Sequence, residues 1–381
     1  MNKHLRLTLI ILLPLIIIII IILLVSSCSS EREYQEALQV YKDGGDDCYL
    51  KATKMLNDIP SYFSPSYKSG IRLKNPTYSK AQILIDKIKE SYVTYRKNYL
   101  IDTYKKNLIA YLAREEEYGW DYLYINTIDG KNPIKVNFTG ECYQPLWSPD
   151  GQWVLFYGLP KGEINHFTKG YDLFITDREG KTVTRLTNSL GEDREPSWSP
   201  DSKKIIFVRD NGSSCRVFIY DLDKKREELI YPTSKNPGYK PIENPLFISD
   251  QKVLAFFSLS LQMIDLEPGK SRKPFRVADI FGNELAAYID ENYQVKKMAL
   301  SPDRKALLFI YNRLYRYGFA TKEIVEIGEY FTTAFSPDEK YLLYANEDND
   351  GSYLYIDEIA VGYDLPPVRL FKGKDPDWSV K

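Results

Sequence analysis

The sequence has few of the side chains that carry most metal and nucleophilic chemistry. Its 381 residues include two histidines and four cysteines, which leaves little for metal or nucleophilic chemistry. The 51 lysines and arginines nearly cancel the 52 aspartates and glutamates, so no basic excess points to nucleic acid. We therefore expect no catalytic residue, no cofactor, no metal site and no nucleic-acid partner.

The N-terminus has the pattern of a secretory signal. Lys3 and Arg6 precede an apolar run from Leu7 to Val25, which only Thr8 and Pro14 interrupt. A short basic segment before a long apolar one is typical of a signal peptide or signal anchor. Because the basic flank stays in the cytoplasm, we expect the residues from about 30 onward to lie outside the cytoplasmic membrane.

The residues that end this run resemble the bacterial lipobox, since the aliphatic Val25 and two serines precede Cys28. The resemblance implies that residues 1–28 are a lipoprotein signal peptide and that Cys28 carries the lipid. The alternative is an uncleaved signal anchor, because the apolar run, at about 1.5 Å per residue, spans roughly 28 Å of bilayer core. Either interpretation attaches the chain to the membrane, through a lipid or through an N-terminal helix.

Three further cysteines, Cys48, Cys142 and Cys215, match no zinc spacing. Cys142 and Cys215 fall in predicted loops, so a disulfide between them is one alternative and free, buried thiols are the other.

Residues 29–103 are predicted to form a helical segment. Apolar side chains recur at helical spacing in the stretches 34–41, 49–56 and 81–92. The pattern resembles a degenerate tetratricopeptide pair with one extra helix, and a plain helical stalk or cap is the alternative.

From about residue 104 a repeat takes over. Four copies of Ser-Pro-Asp and one degenerate copy align without gaps, each followed at the same distance by an aromatic residue; the copies begin at Trp147, Trp198, Phe247, Leu300 and Phe335. Ser, Pro and Gly in Ser148 to Gly151 occupy the positions that a type I turn prefers, so each copy joins two strands. Four strands in each unit of roughly 35–53 residues is the pattern of a propeller blade.

The unit resembles the TolB-type, WD-like propeller repeat, which ends in Leu-Thr, as at Leu186-Thr187, and reopens with an aromatic-Ser-Pro-Asp-Gly turn. The resemblance covers residues 104–381 and implies a mainly β fold. The stretch Pro376–Ser379 reads as a first strand, whereas the segment from Leu108 to Val136 reads as a second, third and fourth strand. Because a propeller must close its ring, these pieces predict one shared blade and a six-bladed β-propeller.

Catalytic and calcium-binding functions have weaker support. Propellers of this type often accompany a serine peptidase, but the sequence has no Gly-x-Ser-x-Gly elbow. The segment Asn346–Asp357 loosely fits a calcium loop, although the surrounding pattern favours an ordinary hairpin. An enzyme that acts on envelope glycans or peptides and an extracytoplasmic sensor subunit remain the alternatives.

The expected function is binding on the loops of a rigid scaffold. The connections between second and third strands and those between blades should share one face, which would carry loops 158–170, 188–195, 231–244 and 278–297. The large or charged residues His166, Arg194, Tyr239 and Arg313 are the candidate partner contacts. The resemblance implies a protein or peptide partner in the bacterial envelope. A free periplasmic TolB has neither this anchor nor this helical segment. The resemblance therefore does not imply a role in the Tol–Pal machinery.

Overall fold

The computed structural model describes residues 31–40, 42, 46–58, 76–115, 119–163, 170–235, 237–258, 260–276, 295, 297–310, 313–328, 333–348, 351–359 and 367–379. The chain divides into two compact units: the first holds the described residues up to Tyr99, and the second begins at Leu100. Cys28 and the apolar run before it lie outside the described residues. In the described ranges, no helix combines the length and apolar character that a membrane crossing needs.

The first unit is helical, as the apolar spacing predicts. Residues 31–40 form α1, Asp46–Asn57 form α2 and Pro76–Thr103 form α3. The third helix begins earlier and ends later than the predicted stretch. Its first residue is a proline, whose missing N–H needs no partner in a first helical turn. Small and aliphatic side chains from all three helices form one core: Ala37, Ala52, Leu56, Ala81, Leu84, Ile85 and Ile88. The tetratricopeptide-like arrangement stays a prediction.

The described residues of the second unit form six antiparallel four-stranded sheets, which we call blades A to F. Blade A contains β1 (Leu108–Arg114), β2 (Asp121–Thr127), β3 (Ile134–Lys135) and β24 (Lys374–Trp378). Blade B contains β4 (Gly140–Trp147), β5 (Trp153–Pro160), β6 (Asp172–Asp177) and β7 (Val183–Arg185). Blade C contains β8 (Glu192–Trp198), β9 (Lys204–Asp210), β10 (Cys215–Asp221) and β11 (Arg226–Tyr231).

The remaining three blades repeat this strand order. Blade D contains β12 (Ile242–Ser249), β13 (Lys252–Phe257), β14 (Ser260–Asp265) and β15 (Phe275–Arg276). Blade E contains β16 (Lys297–Leu300), β17 (Ala306–Ile310), β18 (Leu314–Gly318) and β19 (Ile324–Gly328). Blade F contains β20 (Thr333–Phe335), β21 (Tyr341–Asp348), β22 (Gly351–Glu358) and β23 (Val368–Lys372). The predicted six-bladed propeller is confirmed.

Blade A closes the ring with strands from both ends of the repeat region. The strand β24 pairs antiparallel with β1, and Trp378 lies opposite Ile109. The split blade predicted from the sequence is therefore confirmed.

An apolar cluster fills each junction between neighbouring blades. The six junctions, from A–B round to F–A, each have their own cluster of buried side chains. Because successive side chains of a strand point to opposite faces, each blade packs against both of its neighbours. In β1, Ala110 and Leu112 pack toward blade B, and Ile109 and Tyr111 pack toward blade F. Every blade is thus buried on two faces, which explains its aliphatic and aromatic strand composition.

The Ser-Pro-Asp turns share one hydrogen-bond pattern in blades B, C, E and F. The serine N–H donates to the carbonyl of the residue five positions later, whose N–H donates to the serine Oγ, at 2.8–3.0 Å. The serine Oγ also donates to the carboxylate of the aspartate at 2.6–2.7 Å. The N–H and the hydroxyl of the buried serine thereby find partners within the turn, as buried polar groups require.

The split blade reproduces this turn from two distant chain segments. Ser379 N–H donates to the carbonyl of Leu108 at 2.8 Å, and Leu108 N–H donates to Ser379 Oγ at 2.7 Å. Asn107 Nδ2 donates to the Ser379 carbonyl at 2.9 Å. In blade B the Gly151 N–H donates to the equivalent carbonyl, that of Ser148. Closure therefore satisfies the same polar groups as a continuous turn.

The last residue of the turn links neighbouring blades. Gly151 adopts a positive φ in blade B, and Ser202, Arg304 and Glu339 adopt φ of 61°, 59° and 60° at the same position. This conformation costs a non-glycine residue about 1–2 kcal/mol. Ser202 Oγ accepts from Asp150 N–H at 3.0 Å, and Glu339 Oε1 accepts from Asp303 N–H at 2.6 Å. Bonds to the adjacent blade thus offset the backbone strain.

Candidate functional site

The first strands of the blades surround a central channel. Because all strands pair antiparallel, the Ser-Pro-Asp turns lie at one end of it, the turn face. The connections between second and third strands, and those between blades, lie at the other end, the loop face. The channel links two faces that carry different side chains.

Four first strands bulge at the same position near the loop face. Gln144, Glu195, Asn244 and Asp375 each precede a proline and have φ of 49°, 54°, 50° and 44°. The pairing of each first strand with its second strand shifts register beside this residue. Proline disfavours the right-handed helical region for the residue before it, and a bulge re-aims that side chain. The repeated bulge therefore places polar side chains at the channel.

Two cavities follow each other along the channel. The first, of about 180 Å³, is lined by the bulge residues Gln144, Glu195 and Asn244 and by Lys297 of blade E. The second, of about 360 Å³, lies toward the turn face. Trp147, Leu300 and Arg304 line both. The first cavity, which we call the mouth, is lined by polar bulge residues. The second, which we call the turn-face chamber, is lined by residues of the Ser-Pro-Asp turns.

A charged network connects this mouth to the rim of the loop face. Arg194 pairs with Glu195 and lies 3.7 Å from Asp210. Glu195 also accepts from Asn244 N–H at 2.6 Å. Burial raises the pKa of Glu195, although Arg194 opposes the shift. Asp210 accepts the Tyr239 hydroxyl at 2.9 Å, so the network extends from blade C to the loop before blade D.

Two exposed apolar side chains flank this network. Leu190 is 86% exposed and Tyr239 is 51% exposed. Leu190 precedes Gly191, which packs so closely against the Asp210 carbonyl that an added Cβ would lie 2.8 Å from it. Both side chains therefore project beside the last residue of β9. Their apolar area is available for burial against a partner, which would stabilise a complex.

The loop that carries Leu190 is fixed by two buried carboxylates. Ser189 N–H donates to Asp172 at 3.0 Å, and its hydroxyl lies 3.3 Å from Asp193. Asp172 pairs with Arg185, and Asp193 pairs with Arg209 at 2.6 Å. A loop held in this way loses little conformational entropy when it meets a partner.

The structure brings two of the predicted contact residues together and separates the others. Arg194 and Tyr239 lie next to the same carboxylate, that of Asp210. Arg194 lies in β8 and not in a loop, because the first strand of blade C begins at Glu192. Arg313 lies between β17 and β18 and pairs with Glu326 of the same blade. His166 falls in residues 164–169, outside the described residues.

Cys142 and Cys215 lie in β4 and β10, so their placement in loops was wrong. Both thiols are free and buried, and burial raises the pKa of Cys142 to about 12 and that of Cys215 to about 11. The alternative of a disulfide between them is therefore wrong, and neither is a reactive thiolate.

The segment proposed as a calcium loop pairs as a hairpin. Asn346 lies opposite Tyr353 and Asp348 opposite Gly351, with residues 349–350 outside the description. Across the described ranges, no group of three or more His, Cys, Asp or Glu residues has a metal-binding arrangement. A ladder in register leaves the backbone carbonyls to the sheet, unlike a calcium loop.

Residues 103–266 match the family model described as the TolB beta propeller domain. The propeller is of the TolB type. The Tol-Pal system protein TolB of Francisella tularensis subsp. mediasiatica (strain FSC147) is 29% identical over 170 residues, and that of subsp. holarctica (strain OSU18) is 31% identical over 170 residues. Each alignment covers 43% of this chain and 37% of the relative. The chain thus spans little more than a third of the length of these curated relatives.

A solved structure extends the likeness in fold to more of the chain. TolB from Acinetobacter baumannii superposes with a TM-score of 0.54 at 15% identity, covering 81% of this chain and 75% of that one. At this identity the likeness concerns the fold alone. Blades E and F, beyond the family match, have the same strand order as the rest of the TolB-type propeller.

The sequence analysis did not identify the four polar bulge residues of the first strands, Gln144, Glu195, Asn244 and Asp375. Their signal was present: a proline stands three residues before the serine of the turn, or its equivalent, at Pro145, Pro196, Pro245 and Pro376. A proline repeated at a fixed distance from a turn marks a bulge in the preceding strand.

Proposed function

We propose that this chain is a membrane-attached, extracytoplasmic interaction module that binds a protein or peptide of the bacterial envelope on the loop face. The observation that carries the proposal is the pair of exposed side chains, Leu190 and Tyr239, beside the charged mouth of the channel. Relatives named as Tol-Pal system proteins support an envelope setting. A binding role, without catalysis, is part of the proposal.

The proposed domain order is an anchor over 1–28, a helical segment over 29–103 and the propeller over 104–381. Cys28 would carry the lipid, and the helical segment would set the distance between membrane and propeller or recruit a second partner. His166, Arg194, Tyr239 and Arg313 would belong to or border the contact surface, with Arg194 acting through Glu195 and Asp210.

Cys28→Ser tests the attachment. We expect the variant to lose incorporation of a radiolabelled fatty acid in growing cells, because only the cysteine thiol can accept the lipid. Ser29→Ala is the matched control and should label as the parent does. No label in the parent would contradict lipidation and leave the uncleaved N-terminal helix as the anchor, and equal labelling of parent and Cys28→Ser would place the lipid on another residue.

A photo-crosslinking amino acid at position 190 tests the loop face. We expect discrete adducts with an envelope protein after illumination of cells, because Leu190 projects from a fixed loop. The matched control is position 325, since Val325 is likewise an exposed aliphatic residue, at 51%, but lies on the fourth strand of blade E. Adducts at both positions, or at neither, would contradict the proposed contact surface.

A further inference from the structure

Three tyrosine rings meet at the loop-face end of blade B, on the side that packs against blade C. Tyr143 of β4 lies opposite Tyr157 of β5, and their rings stack with centroids 5.4 Å apart. Tyr171, which directly precedes β6, packs edge-on against these two rings at 5.3 and 5.9 Å. All three residues are partly exposed. They form an aromatic surface that we call the tyrosine cluster.

A single carboxylate is bound to this cluster. Glu141 accepts from the hydroxyl of Tyr171 at 3.2 Å and from that of Tyr143 at 3.4 Å. Glu141 is itself partly exposed, and among the described residues no lysine or arginine pairs with it. A carboxylate has about four lone-pair sites, so two hydroxyl groups leave room for further donors.

Blade A contains the same set of groups together with a cation. Glu115 accepts from the Tyr124 hydroxyl and pairs with Lys135 Nζ at 2.7 Å. The same ammonium group lies 3.4 Å from the centroid of the Tyr122 ring. In blade A a lysine of the chain therefore provides both an ion pair and a cation–π contact.

Two arginines of the propeller have the same kind of surroundings. Arg209 lies 4.5 Å from the centroid of the Phe218 ring and pairs with Asp193 at 2.6 Å. Arg185 also lies over an aromatic ring and pairs with Asp172. At these places the chain sets its own cation over a ring and against a carboxylate. Glu141 and the tyrosine cluster have the ring and the carboxylate, but no cation from the described part of the chain.

The charges around the tyrosine cluster favour a cation. Burial, together with the charges of Glu195 and Asp375, raises the pKa of Tyr157 to about 12, while Arg194 opposes the shift. With Glu141, three carboxylates thus act on the cluster against one guanidinium, which is already paired with Glu195. A surrounding excess of negative charge attracts cations and repels anions.

The tyrosine cluster borders the proposed contact surface. Asp193 N–H donates to the Tyr171 carbonyl at 2.7 Å, and the Asp193 carboxylate lies 3.3 Å from the Ser189 hydroxyl. The loop that carries Leu190 is therefore tied to the backbone beside the cluster. A partner that buries Leu190 brings its own side chains within reach of Glu141.

We propose that Glu141 and the tyrosine cluster bind a basic side chain, arginine or lysine, of the envelope partner. The inference deepens the proposed binding function of the loop face and rests on it. The cation donates to the Glu141 carboxylate and lies against the exposed tyrosine rings, to which guanidinium and ammonium groups are attracted. Charge-assisted hydrogen bonds are roughly twice as strong as neutral ones, so this contact selects partners with a basic residue at the matching position.

Saturation-transfer difference NMR of the full chain in detergent tests the site with small probes. The probes are N-acetylargininamide and N-acetyllysinamide, with N-acetylcitrullinamide as the neutral analogue of the first. At least one cationic probe should bind saturably with a Kd below about 10 mM, and the neutral analogue should not. Glu141→Gln should weaken this binding about tenfold, because the amide oxygen still accepts from a tyrosine hydroxyl but carries no charge.

Glu115→Gln is the matched control, because Glu115 also accepts from a tyrosine hydroxyl but already has Lys135 as its cation. It should keep the affinity within about twofold. Tyr171→Leu removes one ring and should also weaken binding, which keeps the test decisive if Glu141→Gln does not fold. No saturable binding of either cationic probe by the folded parent up to about 10 mM would overturn the proposal. So would equal binding of the citrulline probe, or an equal loss in Glu115→Gln.

Photo-crosslinking at position 190 separates this inference from the loop-face function. Combined with the crosslinker, Glu141→Gln should lower the yield of adducts by about half or more, whereas Glu115→Gln should not change it. Adducts at full yield in Glu141→Gln would overturn the basic contact and leave the loop-face function intact. An absence of adducts in the parent would contradict the loop-face function and, with it, the contact to a partner's basic side chain.

Discussion

Deletion of residues 374–381 is expected to leave no folded propeller. The deletion removes β24 and with it Trp378, which packs at 4.9 Å from the Tyr104 ring in the F–A cluster. Loss of a buried Trp side chain alone costs about 3–5 kcal/mol, against a total stability of about 5–15 kcal/mol for a typical domain. The deletion also leaves β1 as an open edge and removes the Ser379 hydroxyl that accepts from Leu108 N–H. An open edge of this kind favours aggregation.

Near-UV circular dichroism, thermal melting and size exclusion of the full chain and the deletion variant measure this effect. Deletion of Val380 and Lys381 alone is the matched control, because β24 ends at Trp378, and it should melt as the parent does. A shortened chain that stayed monomeric and melted within a few degrees of the parent would contradict a closure by β24.

Features set by short-range chemistry were predictable from the sequence. The serine, proline and aspartate of each turn act within six residues, so their copies identified the blades and, with the chain ends, their number. Features set by pairing between distant segments were not. Arg194 and Cys142 read as loop residues, but β8 and β4 begin before them. Alternation alone does not reveal where a first strand starts when a bulge shifts its register.

The candidate site shows the same division. The sequence marks Tyr239 and Arg194 only as large or charged loop residues, and their meeting at Asp210 depends on the packing of blade C against the loop before blade D. Trp147, Trp198 and Trp378 all precede the serine of a turn in the sequence. The hydrogen bond from Trp198 Nε1 to the Leu146 carbonyl depends on the position of the preceding blade, which a local pattern does not specify.

Asp377→Asn is expected to raise the free energy of unfolding at pH 8. The pKa of Asp377 is raised from 3.8 to about 6, chiefly by burial, so the folded state binds this proton more tightly than the unfolded state. Its contribution to stability is therefore present at low pH, is lost as the pH rises from about 4 to about 6, and stays lost above that. Asparagine is neutral at every pH, and its Oδ1 can still accept from Trp147 N–H. The gain at pH 8 should be about 2–3 kcal/mol.

Urea denaturation of parent and variant at pH 4.5, 6 and 8 measures the gain, which should grow with pH. The other carboxyls with raised pKa, such as Glu195 and Asp193, are present in both proteins and cancel in the difference. Asp303→Asn is a control of opposite sign. The Lys305 N–H and Ser301 hydroxyl hold the pKa of Asp303 far below its usual range, so its replacement should destabilise at pH 8 and matter less as the pH falls. A difference for Asp377→Asn that is independent of pH would mean that the channel hydrates this carboxylate as bulk water does.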